Sequence, residues 1–124
     1  MINDILLNLR ELENLGYVRL QKHKDFPLTL ANYTPIVQYG KLFGDYPLLR
    51  RTRGLIVDDG GKVIAAPFEK FFNYEEHHIS ELPVNSKVRI TEKLDGSLIV
   101  LVKYQDQLIF STRGSFYSTQ AKLA

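Results

Sequence analysis

Residues Lys87 to Thr112, KVRITEKLDGSLIVLVKYQDQLIFST, hold three β-rich runs separated by two turn signals. Lys87–Glu92, Ser97–Tyr104 and Gln107–Thr112 are rich in Val, Ile, Leu and Phe, whereas Lys93–Gly96 and Gln105–Asp106 carry the polar and Gly residues that turns need. The stretch predicts a three-strand antiparallel meander. It also sets one lysine, Lys93, at a strand end beside an Asp-Gly pair.

Upstream, Gly54–Val57 and Lys62–Ala66 are joined by Asp58-Asp59-Gly60-Gly61, a hairpin signature. From Asn3, a capping residue, Ile5, Leu6, Leu9, Leu12 and Leu15 recur at helical spacing, and Gly16 follows as a stop. Tyr17–Leu20 alternates like a short strand, and Gln21–Tyr33 has no clean period. Ile36–Tyr39 reads as another short strand, and Tyr46–Arg50 as a helical turn starting at Pro47. Tyr74–Leu82 reads as a short acidic helix ended by Pro83, and Ser115–Ala124 as the start of a further helix. The expected class is α+β, a mostly antiparallel sheet with flanking helices.

At 124 residues, 44% apolar and 24% charged, the chain has material for one compact domain. Sixteen Lys and Arg against 14 Asp and Glu leave a formal charge of +2, so any phosphate chemistry comes from placement and not from bulk charge. Cysteine is absent, which excludes disulfides, thiolate zinc sites and cysteine nucleophiles. No stretch has the length of a membrane span or the layout of a secretion signal, and a cytoplasmic protein without membrane contact is expected.

Three polar clusters could carry chemistry. Lys93-Leu94-Asp95-Gly96-Ser97 is either a hairpin turn or a nucleophile fixed at a strand end, available as a neutral amine through nearby cations and partial burial. Arg50, Arg51 and Arg53 precede one strand of the upstream hairpin and Lys70 follows the other. Arg53 and Lys70 are expected near each other, either with an anion between them or as a solvated basic rim. Arg113-Gly114-Ser115 ends a strand where a helix is expected to start, which suits a phosphate or ribose as well as ordinary capping. Glu75-Glu76-His77-His78 is a poor metal site, because adjacent residues point to different sides of a helix, and no metal-ligating residue is assigned. His23 lies in a basic loop and carries no signal of its own.

Arg53-Gly54, Glu69-Lys70-Phe71-Phe72-Asn73, Lys93-Leu94-Asp95-Gly96-Ser97 and Arg113-Gly114-Ser115 occur in this order. In order and spacing they resemble the motifs of phage-type ATP-dependent RNA ligases, the tRNA-repair branch of the covalent nucleotidyltransferase superfamily. Lys-x-Asp-Gly is common to that superfamily; Glu-Lys-Phe-Phe-Asn selects the RNA ligase branch.

The resemblance implies a nucleotidyltransferase fold of the ATP-grasp-like ligase kind and a three-step reaction. Lys93 attacks the α-phosphorus of ATP and becomes a lysyl-adenylate, AMP passes to an RNA 5′-phosphate, and a 3′-hydroxyl displaces it to seal the strand, as in RNA repair. Arg53 and Lys70 are implied at the outer phosphates with Mg²⁺, Glu92 and Leu94 at the adenosine, Asp95 and Gly96 at the turn, and Arg113 with Gly114 on the ribose and phosphate side. Phe72 also has a counterpart. Implied partners are RNA ends, including those of tRNA.

The family's later motifs are missing: an acidic residue for the ribose, an aromatic platform for adenine, a metal-holding glutamate and a Lys-x-Lys strand. The chain is therefore expected to be the N-terminal portion, residues 1–124, of an incomplete domain. Unpartnered strand edges would favour a homodimer, a domain swap or binding to the missing half. A silent nucleotide- or RNA-binding module is the alternative function, with a DNA ligase or capping-type enzyme next.

Overall fold

A computed structural model describes residues 4–71 and 85–124. The first element is helix α1, Asp4–Asn14, which buries Leu9 and Leu12. It ends as expected at Gly16. The Gly16 N–H donates to the Glu13 carbonyl (2.9 Å) and the Tyr17 N–H to that of Leu12 (2.9 Å), with Gly16 at φ 81°. These bonds satisfy carbonyls that the helix end leaves open. Leu15 lies past the last helical residue and is exposed.

Strands β1 (Val18–Lys22), β2 (Leu28–Tyr33), β3 (Arg53–Asp58) and β4 (Val63–Ala65) follow, forming one antiparallel sheet in that order. The β3–β4 turn is the one expected. Asp58 Oδ1 accepts from the N–H groups of Gly60 (3.0 Å) and Lys62 (2.8 Å), and the Asp58 N–H donates to the Lys62 carbonyl at 2.9 Å. Strands β5 (Val100–Tyr104) and β6 (Gln107–Ser111) form a second antiparallel pair. Gln105 and Asp106, both at positive φ, make its two-residue turn.

The four-stranded sheet is covered on both faces. On one, Ala31, Leu55 and Val57 pack with Leu9, Leu12, Val37, Phe43 and Leu49. On the other, Leu28, Leu30 and Ile56 pack with Val102 and Ile109 of the β5–β6 pair and with Phe116. The result is three layers, helical segments, sheet and hairpin, and the class is α+β.

Several expectations need correction. Leu28–Tyr33, without a clean period in the sequence, is an inner strand, β2; with Leu28 to Asn32 all buried, no polar face remains to produce an alternation. Ile36–Tyr39 is not a strand. Pro35 opens a short helix there, α2 (Pro35–Tyr39), which buries Val37 and exposes Ile36 and Tyr39. Pro47–Arg51 is a 3₁₀ helix, in line with the helical turn expected at Pro47.

Neither Lys87–Glu92 nor Ser97–Ile99 is a strand. Val88 and Ile90 are exposed, and among the described residues no strand lies beside them to take their N–H and C=O groups. The last helix, α3 (Thr119–Leu123), starts at Thr119 and not at Ser115, because the Ser118 Oγ caps it by accepting from the Ala121 N–H at 3.3 Å. The acidic helix expected at Tyr74–Leu82, with Glu75–His78, lies outside the described residues, as do Phe72 and Asn73.

Candidate active site

The site starts from a bulge. Strand pairing runs Leu30 with Ile56 and Ala31 with Leu55, then Asn32 with Arg53, so Gly54 is the extra residue. Strict alternation would have put Arg53 on the face of Leu55. The bulge turns it to the opposite face, that of Leu30 and Ile56. Gly54 takes φ 84° there and its N–H donates to Asn32 Oδ1 at 3.0 Å. A Cβ on Gly54 would stand 3.4 Å from the Arg113 Cα and 3.5 Å from the Pro67 Cγ, so the bulge and the Arg113 loop touch backbone to backbone.

The loop after β6 is tied down on all sides. The Thr112 N–H donates to the Ser115 carbonyl (3.0 Å), and the Thr112 and Ser118 hydroxyls are 3.0 Å apart. From β1, Gln21 Oε1 accepts the Phe116 N–H at 2.9 Å and Gln21 Nε2 donates to the Ser115 Oγ at 3.3 Å. Arg113 and Gly114 thus sit at the apex of a braced loop and not at a helix start. The expectation that helix N–H groups beside Gly114 receive a phosphate does not hold.

Arg53 and Arg113 line one cavity of about 340 Å³ together with Phe71, Lys93, Gly96 and Leu98. Each guanidinium lies against an aromatic ring, Arg53 4.8 Å from the centre of Phe71 and Arg113 4.6 Å from that of Tyr33. Such stacking orients an arginine while leaving its N–H groups to other partners. The Arg53 Nε is buried with no hydrogen-bond partner among the described residues. A buried donor of that kind is costly until it gains an acceptor, and the two guanidinium groups make their end of an otherwise largely apolar cavity, which Pro67, Phe68 and Val100 also line, the part suited to an anion.

Lys70, Glu92, Leu94 and Asp95 are not among the residues that line the cavity. Lys70 is tied by its backbone, its N–H donating to the Arg50 carbonyl at 2.8 Å; the open end of the hairpin therefore brings Lys70 to Arg50 and Phe71 to Arg53. Lys93 was expected at a strand end and partly buried. Instead it lies in an irregular stretch with its side chain 91% exposed, its Nζ 3.7 Å from the equally exposed Asp95 carboxylate. A contact of that kind in water holds neither side chain firmly. Gly96, at φ 142°, makes the bend expected of it.

A family model described as RNA ligase matches residues 51–124, which include Arg53, Lys70, Lys93 and Arg113. This chain belongs to the RNA ligase family. It is 29% identical over 113 residues to a candidate bifunctional polynucleotide kinase/RNA ligase of Autographa californica nuclear polyhedrosis virus, a match covering 82% of this chain and 15% of that protein. The chain thus spans about 15% of the length of this relative. Among the described residues, no helix of the RNA ligase chain is long and apolar enough to cross a membrane.

Three residues of this candidate site had no role assigned from the sequence. Phe71 was legible only as a motif residue without a role. Asn32 and Tyr33 belong to the aperiodic stretch, and their link to the site depends on the strand pairing that brings them beside Arg53 and Arg113.

Proposed function

We propose that the chain carries the nucleotide-attachment residues of an ATP-dependent RNA ligase with a nucleotidyltransferase fold. One observation carries the reading: Arg53, Lys93 and Arg113, from separate stretches of sequence, border a single cavity. ATP fits this donor set, because its phosphates offer acceptors to both guanidinium groups and an electrophilic phosphorus to the lysine.

In the first step the Lys93 Nζ attacks the α-phosphorus. A P–N bond forms, the bond from the α-phosphorus to the bridging oxygen breaks, pyrophosphate leaves with the electron pair, and the amine loses a proton. Arg53 acts on the charge that builds on the leaving group together with Lys70, which the resemblance implies there, and Arg113 with Gly114 on the α-phosphate and ribose side. Glu92 and Leu94 flank the nucleophile and contact the adenosine. AMP then passes to an RNA 5′-phosphate, and a 3′-hydroxyl displaces it, joining the RNA ends. Mg²⁺, expected from the resemblance, finds no group of three Asp, Glu, His or Cys among the described residues, so no protein ligands are assigned to it.

The exposure of Lys93 and its contact with Asp95 favour a second reading, a module that binds nucleotide or RNA without forming the adduct. Incubating the full-length protein with ATP labelled at the α-phosphate and Mg²⁺ separates the two. The ligase reading expects label on the protein that disappears in Lys93→Ala. Label that survives the substitution overturns the role of Lys93, and its absence from the unaltered protein favours the binding module. Comparing nicked RNA with nicked DNA, and ATP with GTP, tests the reading against a DNA ligase or a capping-type enzyme.

A further inference from the structure

Strand pairing sets Arg19 of β1 opposite Asn32 of β2, and Asn32 opposite Arg53 of β3. Directly paired residues share a face, so the three form a row across the sheet, arginine, asparagine, arginine, with the Arg113 loop on the same side. The Arg53 end of this row opens into the cavity described above. The Arg19 end opens into a second cleft of about 350 Å³, lined by Asn32, Tyr33, Gln38, Tyr39 and Arg113. Arg113 borders both.

The second cleft has the marks of a built polar site. Asn32 is only 7% exposed and uses its Oδ1 on the Gly54 N–H, and its Nδ2 donors have no partner among the described residues. Neither Arg19 nor Arg113 is paired with a carboxylate among the described residues. Tyr39 is 83% exposed at the cleft's edge, an aromatic ring open to a stacking partner as far as the described residues go. Cations for phosphate, an amide for a base or sugar edge and a bare ring for stacking are together the requirements of a single nucleic-acid strand.

We propose that the Arg19–Asn32–Tyr39 cleft is the seat of the RNA strand, binding single-stranded RNA next to the nucleotide cavity, with Arg113 as the shared wall. The inference rests on the RNA ligase reading for the identity of the strand. In it, Arg19 neutralises a backbone phosphate, Tyr39 stacks on a base, and the 5′-phosphate end continues past Arg113 toward Lys93.

The test is fluorescence anisotropy of the full-length protein with a labelled, 5′-phosphorylated single-stranded RNA in the absence of ATP. A fluorescent ATP analogue serves in parallel, and circular dichroism confirms that each variant is folded. Arg19→Ala is expected to weaken RNA binding about tenfold at low salt and to lower the slope of log affinity against log salt by about one. Tyr39→Ala is expected to weaken RNA binding about fivefold with the salt slope unchanged. Folded variants that bind RNA as the unaltered protein does overturn the proposal, and so does loss of the ATP analogue in place of RNA. Because no adduct is required, an RNA loss in Arg19→Ala supports the cleft even if Lys93 proves inert toward ATP. Label on Lys93 with unchanged RNA binding overturns the cleft alone.

Discussion

The Cα of Arg113 lies 3.4 Å from the place a Cβ on Gly54 would occupy. Two segments almost sixty positions apart in the chain therefore meet without side chains between them, and both arginines of the candidate cavity depend on that meeting. Gly54 supplies the bulge that turns Arg53, and it leaves room for the loop that presents Arg113. Gly54→Ala must place a side chain at φ 84° against that loop. A loss of about 1–2 kcal/mol is expected in denaturant unfolding, from the backbone conformation alone. Label transfer from ATP should fall with it, since Arg53 and Arg113 are both displaced.

Asn32 holds the same bulge from the neighbouring strand. Asn32→Ala leaves the buried Gly54 N–H without its acceptor, a loss of about 1–3 kcal/mol. Chemical denaturation would measure it. A loss near zero would mean that the bulge holds without this bond.

Arg53 combines a ring contact with an unpartnered buried donor, which a lysine cannot reproduce. Arg53→Lys is expected to keep the fold and to lower the rate of label transfer by about tenfold, the scale of one lost charge-assisted hydrogen bond. Full activity in Arg53→Lys would show that only the positive charge matters.

Lys93→Arg keeps the charge beside Asp95 and removes the nucleophile. Because the contact is exposed, stability should change by less than about 0.5 kcal/mol, while labelling from ATP disappears. A labelled Lys93→Arg protein would place the adduct on another residue.

The turn between β5 and β6 offers a gain. Gln105 and Asp106 both hold positive φ, 49° and 62°, a conformation glycine adopts without steric cost. Asp106→Gly is expected to raise stability by a few tenths to about 1 kcal/mol, and the lost contact with Lys103 at 3.9 Å is too exposed to offset it. Thermal unfolding of the two proteins decides the sign.

Features whose signals are local could be read from the sequence alone. The apolar stripe and Gly16 define α1, Asp58 to Gly61 define the β3–β4 turn, and Gln105-Asp106 joins β5 to β6; in each case the residues that specify the structure also form it. The order of Arg53, Lys93 and Arg113 motifs likewise pointed to the RNA ligase family. Only the tertiary structure decided the rest. Strand β2 is buried on both faces and so has no period to read, and the helix at Pro35 depends on the pocket that receives Val37. Lys87–Glu92 has the composition of a strand but has no strand to pair with among the described residues. Arg53 faces the cavity because pairing with Asn32 skips Gly54, a shift of one residue that reverses the face of a side chain; the glycine permits such a bulge, but only the pairing with β2 fixes it.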